Sequence, residues 1–199
     1  MTGERRLIGR IVRLQVQTAH LKCGDTPHRW YDPAPITVVP RLALDASGVQ
    51  GQLVDGTILE DVHNGTHAIS RFRGDNGVSI GFTSHYRAMR DRFDIHLADG
   101  IAGENILIAS DVLHTVDSLA PNLVVETSQG PVRIEGITVA APCVEFSKFC
   151  LGFANDQKPD RTVTEALQFL HNGMRGFYAT APTSGVIRTG NPVYKVTNP

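Results

Sequence analysis

The chain is written as short apolar runs, each cut off by glycine, proline or a polar turn. ITVVPRLALD (residues 36–45), GVQGQLVDG (48–56), ILIASDVLHTV (106–116), NLVVET (122–127), PVRIEGITVA (131–140) and GVIRTGNPVYKV (185–196) all take this form. Pro40, Gly48, Gly51 and Gly56 punctuate the first two, and 19 glycines with 11 prolines supply turns throughout. Such a pattern builds strands and excludes a helix bundle. Many short strands around a few short helices predict a mainly β fold, a closed or strongly curved β-barrel, because closure leaves no sheet edge exposed. The TGNP turn at 189–192 is expected to join two paired strands.

Within 199 residues, an apolar fraction of 41% can fill one core, so a single domain over residues 1–199 is expected. Leu7, Ile11, Val12, Leu14 and Val16 alternate imperfectly, predicting a long first strand from Leu7 to Val16; the N-terminal MTGERRLIGRIVRL, read as part of that strand, lacks the apolar core of a signal peptide. Residues 17–35 form an irregular excursion, with CGDTPHRWYDPAP as a loop. Helical spacing of Tyr86, Met89 and Phe93 predicts a short helix in YRAMRDRF, and Val163, Ala166, Leu167 and Leu170 predict a second in TVTEALQFLHNG. Thr162 and Glu165 have capping-box spacing there, and Gly173 can end the helix.

Lys+Arg 19 against Asp+Glu 20 gives a formal net charge of -1, so no global positive field announces a nucleic acid. No apolar stretch is long enough to cross a bilayer, and no membrane partner is expected. Three cysteines, Cys23, Cys143 and Cys150, are too few and too unevenly spaced for a disulfide framework, which makes the cytoplasm the expected location.

Cys143 follows Pro142, whose fixed torsion lets the chain aim a thiol reproducibly. It is a candidate nucleophile or soft ligand; the competing reading is an inert thiol among Ala140, Ala141, Val144 and Phe146. Cys150 reads as structural. His63 and His67 in HNGTH lack the glutamate of a HExxH zinc motif, so loop packing or contact with an anionic cofactor is favoured over zinc. DGIAGEN permits close backbone approach at Gly100 and Gly103, and Glu104 and Asn105 can brace that turn or meet a ligand. It lacks the spacing of a nucleotide loop. Arg175 is suited either to phosphate or carboxylate or to a structural acid. Phe177 and Tyr178 read as packing residues rather than a base-stacking platform.

Taken in order, DVHNGTHAIS, GIAGENILIA, APCVEF and LHNGMRGFYATAPTSGVIRTGNPVY resemble the MOSC family, the domain related to the C-terminal part of molybdenum-cofactor sulfurases. The resemblance is clearest over residues 49–196. It implies a β-rich barrel and a function in binding molybdenum cofactor or carrying sulfur as a persulfide, with reduction of N-hydroxylated compounds as a further activity. A β-rich binding or regulatory domain without productive cofactor chemistry is the alternative. By resemblance Cys143 is the sulfur carrier or molybdenum ligand, the GEN motif is Gly103, Glu104 and Asn105, and His63 with Gly65 forms the His/Gly turn. The arginine that the family often has shortly before Pro-Cys is missing from VAAPC, and Arg71, Lys148 and Arg175 are the candidate replacements on charge. No nicotinamide, flavin or iron-sulfur motif is evident, so a reductase of this kind implies a separate electron donor, and a sulfur carrier a separate sulfur donor.

Overall fold

A computed structural model of the chain describes residues 4–26, 28–94 and 96–197. In chain order its elements are β1 Arg5–Gln17, β2 Lys22–Cys23, β3 Trp30–Tyr31, β4 Ile36–Val38, β5 Arg41–Asp45, β6 Gly48–Gln52, β7 Ile58–Glu60 and β8 Val78–Phe82. Then follow α1 Thr83–Phe93, β9 Ile106–Ala109, α2 Val116–Leu119, β10 Asn122–Thr127, β11 Gly130–Val139, α3 Val144–Cys150, α4 Arg161–Leu170, β12 Phe177–Thr180, β13 Gly185–Arg188 and β14 Pro192–Val196. Strands run in the order β14-β10-β11-β12-β8-β9-β1, and an additional β14–β1 pairing closes them into a seven-stranded barrel, with β4 on the far end of β1. Closure satisfies the backbone groups that an open edge would leave bare. A four-stranded sheet, β13-β5-β6-β7, and the small β2–β3 ladder complete the fold.

The imperfect alternation of the first strand has a physical cause. Register shifts between Leu7 and Gly9 against β14, and between Ile11 and Arg13 against β9, insert extra residues that re-aim the side chains. Leu7 and Val12 are thereby left exposed, whereas Ile11, Leu14 and Val16 enter the barrel core. The strand starts at Arg5, and residues 1–3 of the predicted segment lie outside the described residues.

Three expectations need correction. The TGNP turn does not join paired strands: β13 pairs with β5 and β14 with β1 and β10, so the turn carries the chain from one sheet to the other. The segment 23–35 is not all loop, because Cys23 closes against Trp30 and Lys22 against Tyr31; Pro27 lies outside the described residues. The cap of α4 is Asp160 rather than Thr162, its carboxylate accepting from the N–H groups of Thr162 and Val163, while Glu165 pairs with Arg161. Aspartate satisfies two orphan donors at once and draws Thr162 Oγ1 into the same bond set.

Two apolar clusters result. One fills the barrel, with Ile11, Leu14, Val78, Ile80, Phe82, Leu123 and Phe177 among its members. The second gathers Tyr31, Tyr86, Met89, Phe146, Cys150 and Leu170 from β3, α1, α3 and α4. α1 connects β8 to β9, the parallel pair of the barrel, as the crossover such a pair requires. The GEN turn therefore stands at the entry to β9. Among the described residues no helix is long and apolar enough to cross a membrane.

Candidate functional site

A cleft of about 680 Å³ opens beside the barrel. Its walls come from the end of β1 (Gln17), the excursion carrying His20, Lys22, Arg29 and Tyr31, and the turns holding His63, Arg71, Phe72 and Arg73. Cys143 and the pair Arg175 and Tyr178 also line it. Five cationic side chains, Lys22, Arg29, Arg71, Arg73 and Arg175, line this space, and among the described residues no carboxylate does. Lys22 has Glu145 at 3.6 Å and Arg73 has Asp75 at 3.5 Å, whereas among the described residues no carboxylate pairs with Arg29, Arg71 or Arg175. Guanidinium groups left without an acid are poised for an anion from solution.

Cys143 is half-buried and is the N-cap residue of α3. Its carbonyl accepts both Ser147 N and Ser147 Oγ at 3.0 Å, which anchors the backbone while the side chain borders the cleft. Two residues on, burial works to raise Glu145, but its own N–H, Lys22 and a hydrogen bond from the Cys143 thiol hold its carboxyl below the usual range. Cys150 ends the same helix with no exposure, and burial, then Cys143, pushes its thiol up to about 12. It is a packing residue.

His63 does not stand on a helix; residues 62–69 form successive turns. Its ring is set by Asp61, which has no exposure and whose Oδ1 accepts His63 N at 2.8 Å and His63 Nδ1 at 3.0 Å. Oδ2 of the same carboxylate accepts Gln17 N at 2.7 Å and Asn105 Nδ2 at 2.8 Å. Nε2 is left as the free ring nitrogen of His63. Tyr178 lies beside it, ring centroids 5.9 Å apart, with the Arg73 guanidinium 5.5 Å from the Tyr178 ring. Burial, then Arg71 and the neighbouring His63 and His67, lower the pKa of His20, and its Nε2 accepts a long bond from Arg71 Nε at 3.4 Å.

The GEN turn lies under the cleft rather than in its lining. Its successive carbonyls are taken by cleft side chains: Ile101 O by Tyr31 Oη at 2.6 Å, Ala102 O by Arg175 Nη2 at 3.2 Å and Gly103 O by Gln17 Nε2 at 2.6 Å. Gly103 has φ +86, and a Cβ there would meet Leu21 and the Gln17 amide within 3 Å. Asn105 Oδ1 accepts Ser79 N and Ser79 Oγ at 3.0 and 2.8 Å, tying β8 to β9. Glu104 is buried, and burial drives its carboxyl up to about 7 against the pull of its own N–H, Tyr86, Arg175 and Arg13.

Arg175 sits in the turn between α4 and β12. Burial opposes its charge, but Tyr178, Tyr31, Cys143 and Glu104 outweigh that and hold the guanidinium protonated. Gly176 follows with φ +125, and a Cβ there would stand 2.7 Å from Ile80 O. Gly176→Ala is accordingly expected to destabilise the fold by about 2 kcal/mol, measured as a lowered urea midpoint.

Of the residues singled out from sequence, Cys143, His63, Arg71 and Arg175 meet at the cleft. Gly103, Glu104 and Asn105 support it from below. Lys148 is buried outside the lining, its Nζ donating to Asn155 O at 2.9 Å. His20, Lys22, Arg29, Tyr31, Arg73 and Tyr178 were not anticipated, although the alternation in Arg71-Phe72-Arg73 and the run His28-Arg29-Trp30-Tyr31 are local signals for two of the walls.

The MOSC domain profile matches residues 61–194, about two thirds of the chain, including His63, Arg71, Cys143 and Arg175. The chain belongs to the MOSC domain family. No curated protein matches this MOSC chain. Among solved structures, the YUAD protein from Bacillus subtilis is 12% identical, covers 98% of this chain and 100% of its own, and superposes with a TM-score of 0.61. A second, described only as a hypothetical protein, is 12% identical, with 95% of this chain and 69% of its own covered and a TM-score of 0.54. At such identities the likeness is one of MOSC fold.

Proposed function

We propose that this MOSC domain is a binding module for a phosphate-bearing anionic cofactor of the molybdenum cofactor class, with Cys143 as its soft donor. The observation that carries the reading is a cleft lined by five cationic side chains and one accessible thiol and, among the described residues, by no carboxylate. Among the described residues no group of three or more His, Cys, Asp or Glu side chains is arranged to hold a bare metal ion. A metal arriving with its own organic ligands needs only one thiolate from the protein, and phosphate needs cations, so the donor set fits this class. Arg29, Arg71 and Arg175 would hold the phosphate; Cys143 would meet the metal or, in a sulfur carrier, bear the transferred sulfur. When bound, such a cofactor supplies the redox chemistry by which N-hydroxylated compounds are reduced. The chain's own part is to bind, orient and shield it. Turnover would draw on a separate electron donor, and sulfur transfer on a separate sulfur donor.

A second reading, binding or regulation without productive chemistry, is favoured by Ala140 and Ala141. They lie in the stretch before Pro-Cys in which, by the resemblance, the family often has an arginine. Ala140 is buried with its N–H on Gly176 O at 3.0 Å, and Ala141 borders a different groove with Pro142, Leu167 and His171, so neither position offers charge to the cleft.

Anaerobic purification of the wild type, Cys143→Ala and Arg175→Gln, followed by metal, pterin and persulfide analysis, tests both. Cys143→Ala is expected to lose metal or persulfide at least about tenfold, and Arg175→Gln to lose pterin by about tenfold, the worth of one charge-assisted hydrogen bond. Equal loading in all three proteins would sink the proposal. Reduction of an amidoxime by the loaded wild type with a suitable donor would end the second reading.

A further inference from the structure

Resting on the reading of the cleft as an anion site, we propose that Glu104 is the proton-coupled counter-ion of Arg175. When an anion docks on Arg175, the buried Glu104 carboxylate takes up one proton from solvent, and anion affinity consequently falls as pH rises. The step is a protonation alone: a carboxylate becomes a carboxylic acid and the buffer supplies the proton.

The geometry behind this is a charge stored one layer beneath the cleft. Glu104 is 4% exposed, Oε2 receives one side-chain donor, Tyr86 Oη at 2.9 Å, its own N–H also favours the ionised carboxyl, and among the described residues Oε1 has no hydrogen-bond partner. A Cβ at Gly81 would come within 2.6 Å of Oε1, so the space for that bare oxygen exists only because residue 81 is glycine. An ionised carboxylate with one empty oxygen is poorly solvated, which is a standing incentive to bind a proton. The Tyr86 hydroxyl also accepts Ala102 N at 3.0 Å, and Ala102 O accepts Arg175 Nη2 at 3.2 Å. A phenol and one residue of turn thus link Glu104 to the guanidinium that faces the ligand.

The titratable and charged groups around Glu104 are Tyr86 from α1, Arg13 from β1, Tyr31 from β3 and Arg175 from the turn before β12; β8 brings only Gly81. Arg175 and Arg13 are the cations that favour the ionised form, against burial that drives the carboxyl up to about 7. Among the described residues Arg175 has no carboxylate within ion-pair distance, so a docked anion would be its first direct charge partner. Once its field is spent on that anion, Glu104 loses part of what kept it ionised.

Sulfate is a suitable probe, because its charge is fixed near neutral pH. Calorimetric titration of sulfate into the full chain, in buffers of different ionisation enthalpy, reads proton uptake directly. Wild type is expected to take up about half a proton per sulfate near pH 7, with affinity falling several-fold from about pH 6.5 to 8.5. Glu104→Gln is expected to bind sulfate without that uptake and with a flatter pH profile. Tyr86→Phe, which removes the side-chain donor to the carboxylate but leaves Glu104 in place, is expected to move the uptake maximum to higher pH. His20 and His63 also border the cleft, so uptake that persists unchanged in both variants would assign it to them and overturn the proposal, as would wild-type binding without uptake. A folded wild type that binds no sulfate would overturn the anion-site reading as well.

Discussion

Asp61→Ala is expected to destabilise the protein by about 3–5 kcal/mol, the largest single loss among the polar positions. Its carboxylate has no exposure and serves four donors: the backbone N–H groups of Gln17 and His63, the His63 ring and the Asn105 amide. Alanine would leave these donors without their acceptor at the junction of β1, the 62–69 turns and the entry to β9, the Gln17 N–H and the Asn105 amide in the buried interior. The check is urea denaturation, with a fallen midpoint at unchanged slope. Combining it with Asn105→Ala should show coupling of about 0.5–3 kcal/mol, since both act in one network. A loss below about 1 kcal/mol would mean that water replaces the carboxylate, and the network would not be what seats His63.

Glu104 carries the second large effect, in the pH dependence of stability. An unfolded glutamate releases its proton near 4.5, whereas the folded one keeps it up to about 7. Between those values folding takes up a proton, so stability declines as pH rises. Below 4.5 the two states bind equally and nothing is lost; above about 7 the whole deficit, about 3 kcal/mol, is present. His85, pushed down to about 4 chiefly by burial, acts in the opposite direction between 4 and 6.5, so the raw curve mixes the two. The informative quantity is the difference between wild type and Glu104→Gln. It is expected to shift in favour of the glutamine variant by about 2–3 kcal/mol from pH 5 to pH 8. Parallel curves across that interval would show that Glu104 is not the strained carboxyl proposed to sense the cleft.

How much was legible beforehand differs by element. Tyr86 and Met89 on α1, and Val163, Ala166 and Leu170 on α4, are buried as their spacing predicted, because helical periodicity is a local property of the chain. The first strand was legible as a strand but not in register, since its two bulges are set by β14 and β9. The TGNP turn looked like a hairpin because its turn chemistry is local, but β13 finds its partner in β5, far upstream. Within the site, Cys143 stood out by its place after Pro142. Arg73 and Tyr178 did not, because a cation over a ring 105 positions away leaves no trace in either segment.

By itself, the sequence determined a turn-rich chain that must curl into a β-barrel, where its two longer helices run, and which thiol its backbone presents. The period of apolar residues, the torsional limits of proline and the motif order are all written along the chain. The tertiary structure alone decided that Lys22, Arg29, Arg71, Arg73 and Arg175 share one cleft with Cys143, that Lys148 does not, and that the GEN turn braces this cleft from beneath. The reason is range: burial patterns need only neighbours in sequence, whereas charge convergence and the satisfaction of buried polar groups depend on distances that exist only after β14 closes on β1.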